Sequence, residues 1–196
     1  MDSQAIEARL RFLREAEQLK DTLRSAYTAN GRTESTAEHT WRLTLLAMTF
    51  ADQLPDLDLL RVLKICVLHD LGEAINGDVP APEQDGAGLK SVDERADFVT
   101  LISPLPAALR EEFLGLWDEY ENGTSQEAIA VKAMDKLETI LQHNQGSNPD
   151  GFDYAYNLHY GKRYTDGVPL AKQIRELLDR ETAAHAANSG RSSEGG

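Results

Sequence analysis

The stretch LDLLRVLKICVLHDL, residues 57–71, is the most apolar part of the chain and ends with His69 and Asp70 side by side. Pro55 ends the preceding segment, and the run after it predicts a helix over residues 57–75. Burying an imidazole and a carboxylate beside such a run is unfavourable unless something compensates for their lost hydration. A divalent cation would compensate for it, so this end of the helix is a candidate metal site.

Helical patterns also account for most of the remaining chain. In residues 4–24, leucine and isoleucine recur at steps of three and four residues, which is the period of a helix. Ser35 and Glu38 have the spacing of a capping box, which predicts the start of a helix that ends near Gln53. The other predicted helices are 89–102, 106–121, 125–144 and 169–187.

No segment alternates apolar and polar residues over a useful length, so no β-strand is predicted. The sequence therefore predicts an all-α fold, a single-domain helical bundle over residues 1–187. Residues 188–196 are mostly serine and glycine, and we predict that they form a disordered tail.

Composition and charge narrow the classes of partner. With 196 residues, of which 41% are hydrophobic and 27% charged, the chain can form one domain with a sizeable core. Its net charge of -13 disfavours a nucleic-acid polymer or an anionic membrane surface as partner, because both are negatively charged. A small phosphorylated substrate stays compatible, since a metal ion and one arginine can supply positive charge locally.

Cysteine usage and hydropathy indicate the compartment. Cys66 is the one cysteine and lies in the apolar run, so no intramolecular disulfide can form and the thiol is expected to pack as a small hydrophobe. This pattern favours a reducing cytoplasm. The chain shows no signal-peptide pattern, and no apolar run approaches the roughly 20 residues of a membrane span. We therefore expect a cytoplasmic protein.

Four residues on three predicted helices are candidate metal ligands. His39 lies in the first turns of its helix, His69 and Asp70 are adjacent, and Asp135 lies among apolar residues of the 125–144 helix. Glu73 is i+4 from His69, so a continuous helix would place its carboxylate on the same side.

Each candidate also has an ordinary explanation. His39 could be a satisfied core or surface histidine, and Asp70 could simply end a helix. Asp135 could pair with Lys132 or Lys136. The joint pattern favours a shared ion, because the ordinary explanations require a separate coincidence at each position.

These residues resemble a known signature. His39, His69-Asp70 and Asp135 are similar to the H…HD…D pattern of the HD-domain metal-dependent phosphohydrolases. The segments RTESTAEH, LHDLGE and GDVP, residues 32–39, 68–73 and 77–80, resemble the branch that contains the bacterial 5'-deoxynucleotidases and related HD-domain-containing hydrolases. The similarity spans about residues 17–145 and implies the HD-domain fold, a bundle of α-helices.

The resemblance implies that His39, His69, Asp70 and Asp135 bind one divalent ion, either Mn, Co, Mg, Fe, Ni or Zn. Two histidines and two carboxylates with open positions suit an octahedral ion better than a closed structural zinc site. The sequence has no histidine between Asp70 and Asp135, whereas the dinuclear branches of the family need additional ones there.

The resemblance also implies roles in catalysis and substrate binding. Glu73 matches the carboxylate that activates water, Asp78 a residue that contacts the sugar, and Arg24 one that contacts phosphate. The alternative for Arg24 is a solvated arginine at a helix end. Ser25 stands where the bacterial deoxynucleotidases have a tryptophan against the sugar, so the resemblance does not extend to strict selection of 2'-deoxyribose.

The implied activity is hydrolysis of (deoxy)nucleoside 5'-monophosphates by a protein that forms a homodimer. Two alternatives stay open at this point. One is a hydrolase of another phosphorylated small molecule, of the guanosine-tetraphosphate type, although those enzymes have Glu-Asp where this chain has Glu73-Ala74. The other is a non-catalytic module that binds metal and senses a nucleotide.

Overall fold

The computed structural model describes residues 2–77 and 87–192. The helices in this part of the chain are α1 Ser3–Ala16, α2 Thr36–Thr49, α3 Leu59–Leu68, α4 Glu73–Asn76, α5 Ala87–Ile102, α6 Ala107–Asn122, α7 Gln126–Gln145, α8 Tyr154–Asn157, α9 Lys162–Thr165 and α10 Pro169–Ser192. Short 3-10 turns cover Glu17–Lys20 and Ala51–Gln53. Asp78, the predicted sugar contact, lies outside the described residues.

Helix α7 is the centre of the bundle, and α2, α3, α6 and α10 all pack against it. The core around it includes Leu43, Ile65, Phe98 and Met134, which are fully or almost fully buried. Each such side chain contributes about 1.5–3 kcal/mol when it leaves water. The predicted all-α class is confirmed, and no helix within 2–77 or 87–192 is long and apolar enough to cross a membrane.

A small β-hairpin corrects the prediction that no strand forms. Strand β1, Leu23–Tyr27, pairs antiparallel with β2, Thr33–Ser35, so the predicted helix over 4–24 extends too far. Gly31 lies in the connecting turn with a φ of 78°, a conformation that glycine adopts without strain. The strands are too short for an apolar-polar alternation to be visible in the sequence.

The hairpin is attached to the C-terminal end of α7. The Gln142 side-chain amide donates a hydrogen bond of 2.6 Å to the carbonyl oxygen of Tyr27. A Cβ at Gly146 would lie 2.2 Å from the same oxygen, so only glycine permits this close approach. The contact positions β1 beside the helix that carries Asp135.

The predicted helix 57–75 is interrupted at its functional end. Helix α3 ends at Leu68, and residues 69–72 form a turn before α4 begins at Glu73. A Cβ at Gly72 would lie 2.7 Å from the backbone oxygen of Glu94, because α5 passes directly over this turn. Tertiary packing thus overrides the helical pattern and places His69 and Asp70 in the turn.

Helix α10 is longer than predicted. It continues to Ser192, so the helix end predicted at Ala187 comes too early. Residues 193–196 of the predicted disordered tail lie outside the described residues. Four alanines lie among residues 183–187, and alanine has the highest intrinsic helix propensity. The Ser189 hydroxyl also donates a hydrogen bond of 3.0 Å to the carbonyl oxygen of His185, one turn earlier on the helix.

Candidate metal centre

The four predicted ligands come together where α2, α7 and the turn after α3 meet. His39 Nε2 lies 3.2 Å from Asp135 Oδ1 and 3.7 Å from Asp70 Oδ2. His69 Nε2 lies 3.0 Å from the same oxygen of Asp70. Ligand atoms of His39, His69 and Asp70 all lie within 4.8 Å of one another, a spacing that can hold one metal ion. Asp70 is 18% exposed, whereas the two imidazoles are fully buried.

The two imidazoles are oriented so that their Nε2 atoms suit a cation. His69 Nδ1 lies 2.9 Å from the carbonyl oxygen of Cys66, which can only accept, so Nδ1 carries the proton in the neutral ring. His39 Nδ1 is hydrogen-bonded to the carboxylate of Glu138. Within the described residues, neither Nε2 atom has a hydrogen-bond partner, although both are buried. A metal ion between these two nitrogen atoms and the carboxylate oxygens opposite them would satisfy both nitrogen lone pairs.

Asp135 is held by different groups at its two oxygens. Oδ2 accepts a hydrogen bond of 2.8 Å from the Tyr120 hydroxyl and lies 2.8 Å from Lys136 Nζ, while Oδ1 faces His39. The alternative pairing with Lys136 therefore exists, but it uses only one oxygen. Burial opposes ionisation of Asp135, but the charge of Lys136 and the interactions with His39 and His69 together outweigh it and hold the pKa of Asp135 well below its usual range. Lys132 instead lies 4.1 Å above the Tyr120 ring.

Glu73 lies in a different local structure from the predicted one. Because the chain turns at residues 69–72, Glu73 is not one helical turn above His69; it begins a helix of its own. Its side chain is buried, and Oε2 accepts a hydrogen bond of 3.4 Å from the Thr36 hydroxyl. Thr36 is one turn before His39 on α2. The carboxylate of Glu73 therefore lies beside the N-terminal turn of the helix that carries His39.

Arg24 lies on β1, and its side chain is only 13% exposed, so the alternative of a solvated arginine at a helix end is wrong. Its guanidinium lies 3.5 Å from Asp70 Oδ2, 3.3 Å from Thr139 Oγ1 and 3.7 Å from Glu34 Oε2. These contacts place a positive charge directly beside a predicted ligand. Arg24 is therefore positioned to meet an anion that binds at the site.

Comparison with known proteins identifies the family. The HD-domain family profile matches residues 16–175, most of the chain. The chain belongs to the HD-domain family. The 5'-deoxynucleotidase HDDC2 of Xenopus laevis is 30% identical over 194 residues, which cover 95% of this chain and 96% of that protein. The 5'-deoxynucleotidase HDDC2 of Danio rerio is 31% identical over 144 residues, 72% of this chain and 71% of that protein.

Solved structures show the same fold. A protein described as a predicted metal-dependent phosphohydrolase from Magnetospirillum magnetotacticum superposes with a TM-score of 0.77 at 23% identity, over 96% of this chain and 98% of that chain. The PH0347 protein from Pyrococcus horikoshii gives a TM-score of 0.57 at 25% identity, over 93% and 98%. The HD-domain fold and the family that the sequence motifs indicated are both confirmed.

Two buried acidic residues of this HD domain were missed in the sequence. Glu138 is fully buried and bonds His39 Nδ1, while its Oε1 lies 3.6 Å from Arg42 Nε. Glu34 is also buried; burial, and after it the charge of Glu138, raises its pKa to about 7. Glu138 had a detectable signal, because it follows Asp135 by one turn on α7. Glu34 belongs to the RTESTAEH motif but suggested no role by itself.

The Glu138→Gln variant is expected to bind metal about 10–100-fold more weakly, because carboxylates that orient a ligating histidine contribute this much to affinity. The amide can present either an oxygen or an NH2 group to His39 Nδ1, so it no longer fixes the tautomer that leaves Nε2 available. Titration calorimetry with Mn²⁺ measures the change. Glu176→Gln, on the exposed face of α10, is the control. Equal affinity in Glu138→Gln and the wild-type chain would contradict the orienting role.

Metal binding to this HD domain is expected to strengthen as pH rises from 7 to 9. Burial and Arg24 oppose protonation of His39, but Glu138 and Asp135 outweigh them and raise its pKa to about 9 in the metal-free protein. A cation that binds at neutral pH must then displace a proton from His39. A histidine with an unperturbed pKa would carry that proton only below about pH 6. Calorimetry in buffers of different ionisation enthalpy counts the protons released. Release of about one proton per ion at pH 7 is expected, and none at that pH contradicts the raised pKa.

Proposed function

We propose that this HD-domain protein is a metal-dependent phosphohydrolase that removes phosphate from (deoxy)nucleoside 5'-monophosphates. The main support is the pair of buried, unpartnered Nε2 atoms of His39 and His69, which face the carboxylates of Asp70 and Asp135. The match to proteins named 5'-deoxynucleotidases, at about 30% identity over most of the chain, supports the substrate class.

In this proposal His39, His69, Asp70 and Asp135 hold one divalent ion, which can be Mn, Co, Mg, Fe, Ni or Zn. When bound, the ion supplies Lewis-acid chemistry: it lowers the pKa of water and neutralises charge on the phosphoryl group. Each histidine binds the ion through Nε2, and the hydrogen bond at its Nδ1 fixes the orientation of the ring.

The remaining residues act on water and substrate. Glu73 accepts a proton from the water whose oxygen attacks phosphorus. The bond between phosphorus and O5' breaks, and the O5' atom takes up, by way of solvent, the proton that Glu73 accepted, which gives the nucleoside and inorganic phosphate and restores the Glu73 carboxylate. Arg24 binds phosphate oxygens through its guanidinium. Asp78 is proposed to accept hydrogen bonds from the sugar hydroxyls.

The direct test is phosphate release from deoxyribonucleoside and ribonucleoside 5'-monophosphates with Mn²⁺, Co²⁺ and Mg²⁺ in turn. We expect release from both classes, with a modest preference for the deoxy form. The preference should be modest because no side chain at position 25 packs against the sugar: Ser25 is exposed on β1, whereas the side chain of Arg24, the residue before it, is mostly buried. No release from any monophosphate with any of these ions would reject the proposed activity.

Arg24→Ala is expected to raise KM for the monophosphate about 10–100-fold with a smaller effect on kcat. This range corresponds to a hydrogen bond to a charged group, about 1.5–3 kcal/mol. Steady-state kinetics on one deoxynucleotide provide both constants. Arg180→Ala, at an exposed position of α10, is the control. An unchanged KM in Arg24→Ala would remove the phosphate contact from the proposal.

We further propose a homodimer in which a second copy of the chain covers the exposed face of α2. Trp41, Leu45 and Met48 recur on one side of this helix and are 65%, 46% and 55% exposed. The groove beside Trp41 is lined by Lys20, Arg32 and Glu38, charges of both signs that suit a two-fold, self-complementary contact. Light scattering after gel filtration is expected to give twice the chain mass for the wild type and the chain mass for Trp41→Glu.

The cytoplasm is the compartment that we propose for this enzyme. Cys66 is buried, and burial raises the pKa of its thiol to about 12, so the thiol stays protonated. A neutral, buried thiol packs as an apolar group and takes no part in redox chemistry. The fold therefore does not depend on an oxidising environment.

A further inference from the structure

Tyr120, in the last turn of α6, contacts two of the four proposed metal ligands. Its hydroxyl donates a hydrogen bond of 2.8 Å to Asp135 Oδ2. Its ring meets the imidazole of His69 in a T-shaped arrangement, with the ring centres 4.9 Å apart and an angle of 67° between the planes. Asp135 belongs to α7, and His69 belongs to the turn after α3. One side chain from α6 therefore contacts ligands on two other segments of the chain.

The packing of α6 determines where this phenol lies. Trp117 precedes Tyr120 by three residues, so the two side chains share a face of the helix, and both are buried. The Trp117 ring stacks on that of Phe98 in α5, with centres 5.9 Å apart. The ammonium of Lys132, a side chain that is only 14% exposed, lies 4.1 Å from the centre of the Tyr120 ring, which is a cation–π contact. These contacts hold the phenol where its hydroxyl reaches Asp135.

The hydroxyl of Tyr120 affects which oxygen of Asp135 faces the proposed ion. Oδ2 accepts the hydrogen bond from the phenol and also lies 2.8 Å from Lys136 Nζ. Oδ1 lies 3.2 Å from His39 Nε2. Because Oδ2 is already bound by groups of the protein, Asp135 presents Oδ1 on the side where the imidazole of His39 lies.

The ring of Tyr120 supports the second ligand. The His69 imidazole is held at one end by the hydrogen bond of 2.9 Å between its Nδ1 and the carbonyl oxygen of Cys66. One hydrogen bond does not fix the plane of a ring, and the T-shaped contact with Tyr120 restricts rotation about that bond. The opposite nitrogen, Nε2, is thereby kept beside Asp70, 3.0 Å from Oδ2.

We propose that Tyr120 is a positioning residue that sets the affinity of the centre for its divalent ion, through its hydroxyl on Asp135 and its ring on His69. Groups that orient metal ligands without binding the ion commonly contribute about 10–100-fold to metal affinity. Tyr120 acts only through the two ligands and not on the reacting atoms. The inference rests on the proposed function, because it takes Asp135 and His69 as ligands of the ion.

Titration calorimetry with Mn²⁺ tests this role in two variants. Tyr120→Phe removes only the hydroxyl, and we expect about tenfold weaker binding of Mn²⁺. Tyr120→Met removes the ring as well, and we expect about hundredfold weaker binding. In Tyr120→Phe, more Mn²⁺ should be needed for half-maximal phosphate release, whereas kcat at saturating Mn²⁺ should approach that of the wild type. A general loss of structure would instead lower kcat at every Mn²⁺ concentration.

Tyr164→Phe is the matched control. The Tyr164 ring also lies near the ammonium groups of Lys132 and Lys136, at 5.6 and 5.9 Å, but its hydroxyl accepts a hydrogen bond from Arg163. The same substitution at this position removes a phenol hydroxyl that does not bond Asp135, so we expect wild-type affinity for Mn²⁺. Thermal unfolding of the metal-free chains shows which variants fold, and either folded variant at position 120 suffices for the test.

The results distinguish the role of Tyr120 from the metal centre itself. A wild-type chain that binds no Mn²⁺ rejects the proposed centre and the role of Tyr120 with it. Wild-type affinity in a folded variant at position 120 overturns that role alone and leaves the centre intact. A loss of affinity in Tyr164→Phe as large as in Tyr120→Phe also overturns it, because the effect would then not depend on the contact with Asp135.

Discussion

Asp70→Ala is expected to lose the bound metal ion and almost all phosphate release. One oxygen of Asp70 faces both imidazoles, at 3.0 Å from His69 Nε2 and 3.7 Å from His39 Nε2, and also faces the Arg24 guanidinium. Removing it takes away a ligand at the point where the proposed ion meets the substrate. Losing several kcal/mol of charge stabilisation corresponds to a decrease of about a thousandfold in turnover.

The measurement combines the metal content per chain, by plasma mass spectrometry, with phosphate release. Asp52→Ala, at an exposed position after α2, is the control and should behave as the wild type. Asp70→Asn keeps the size of the side chain and tests whether a loss comes from misfolding. A folded Asp70→Ala chain that retains a full complement of metal would exclude this aspartate as a ligand.

Glu73→Gln is expected to keep the metal and lose about 10²–10⁴-fold in kcat, the usual contribution of a general base. The amide oxygen of glutamine can still accept the hydrogen bond from Thr36, so the turn between α3 and α4 should keep its shape. It cannot accept a proton at neutral pH. The expected result is therefore a protein with wild-type metal content that binds substrate but turns it over slowly.

Metal content and single-turnover kinetics on the same sample test this role. Glu111→Gln, on the exposed surface of α6, is the control. Wild-type turnover in Glu73→Gln would show that another group accepts the proton. Loss of metal in this variant would instead place Glu73 among the ligands.

The parts of the site that could be predicted from sequence are those encoded by residue type and local spacing. The capping box of Ser35 and Glu38 forms as predicted, and it fixes where α2 begins and hence where His39 lies. The adjacent His69 and Asp70 were recognisable because polar groups at the end of an apolar run require an explanation. Asp135 was recognisable for the same reason within α7.

The parts that could not be predicted depend on contacts between distant segments. Residues 69–72 turn because α5 packs on Gly72, which no pattern within the apolar run encodes. Arg24 lies on a strand too short to show an alternation, so the sequence pattern predicts a phosphate contact at the end of a helix and not on a strand. Glu138 bonds His39 across 99 residues of the chain, so only the packed bundle brings the two side chains together.

The attachment of the N-terminal hairpin to α7 has a consequence for biosynthesis. Tyr27 bonds Gln142, Arg24 bonds Thr139, and His39 bonds Glu138, all across about a hundred residues of chain. Such contacts form late, since the intervening polypeptide must first be ordered. A nascent chain therefore cannot assemble this cluster until α7 has emerged from the ribosome, and any cofactor must be acquired after that point.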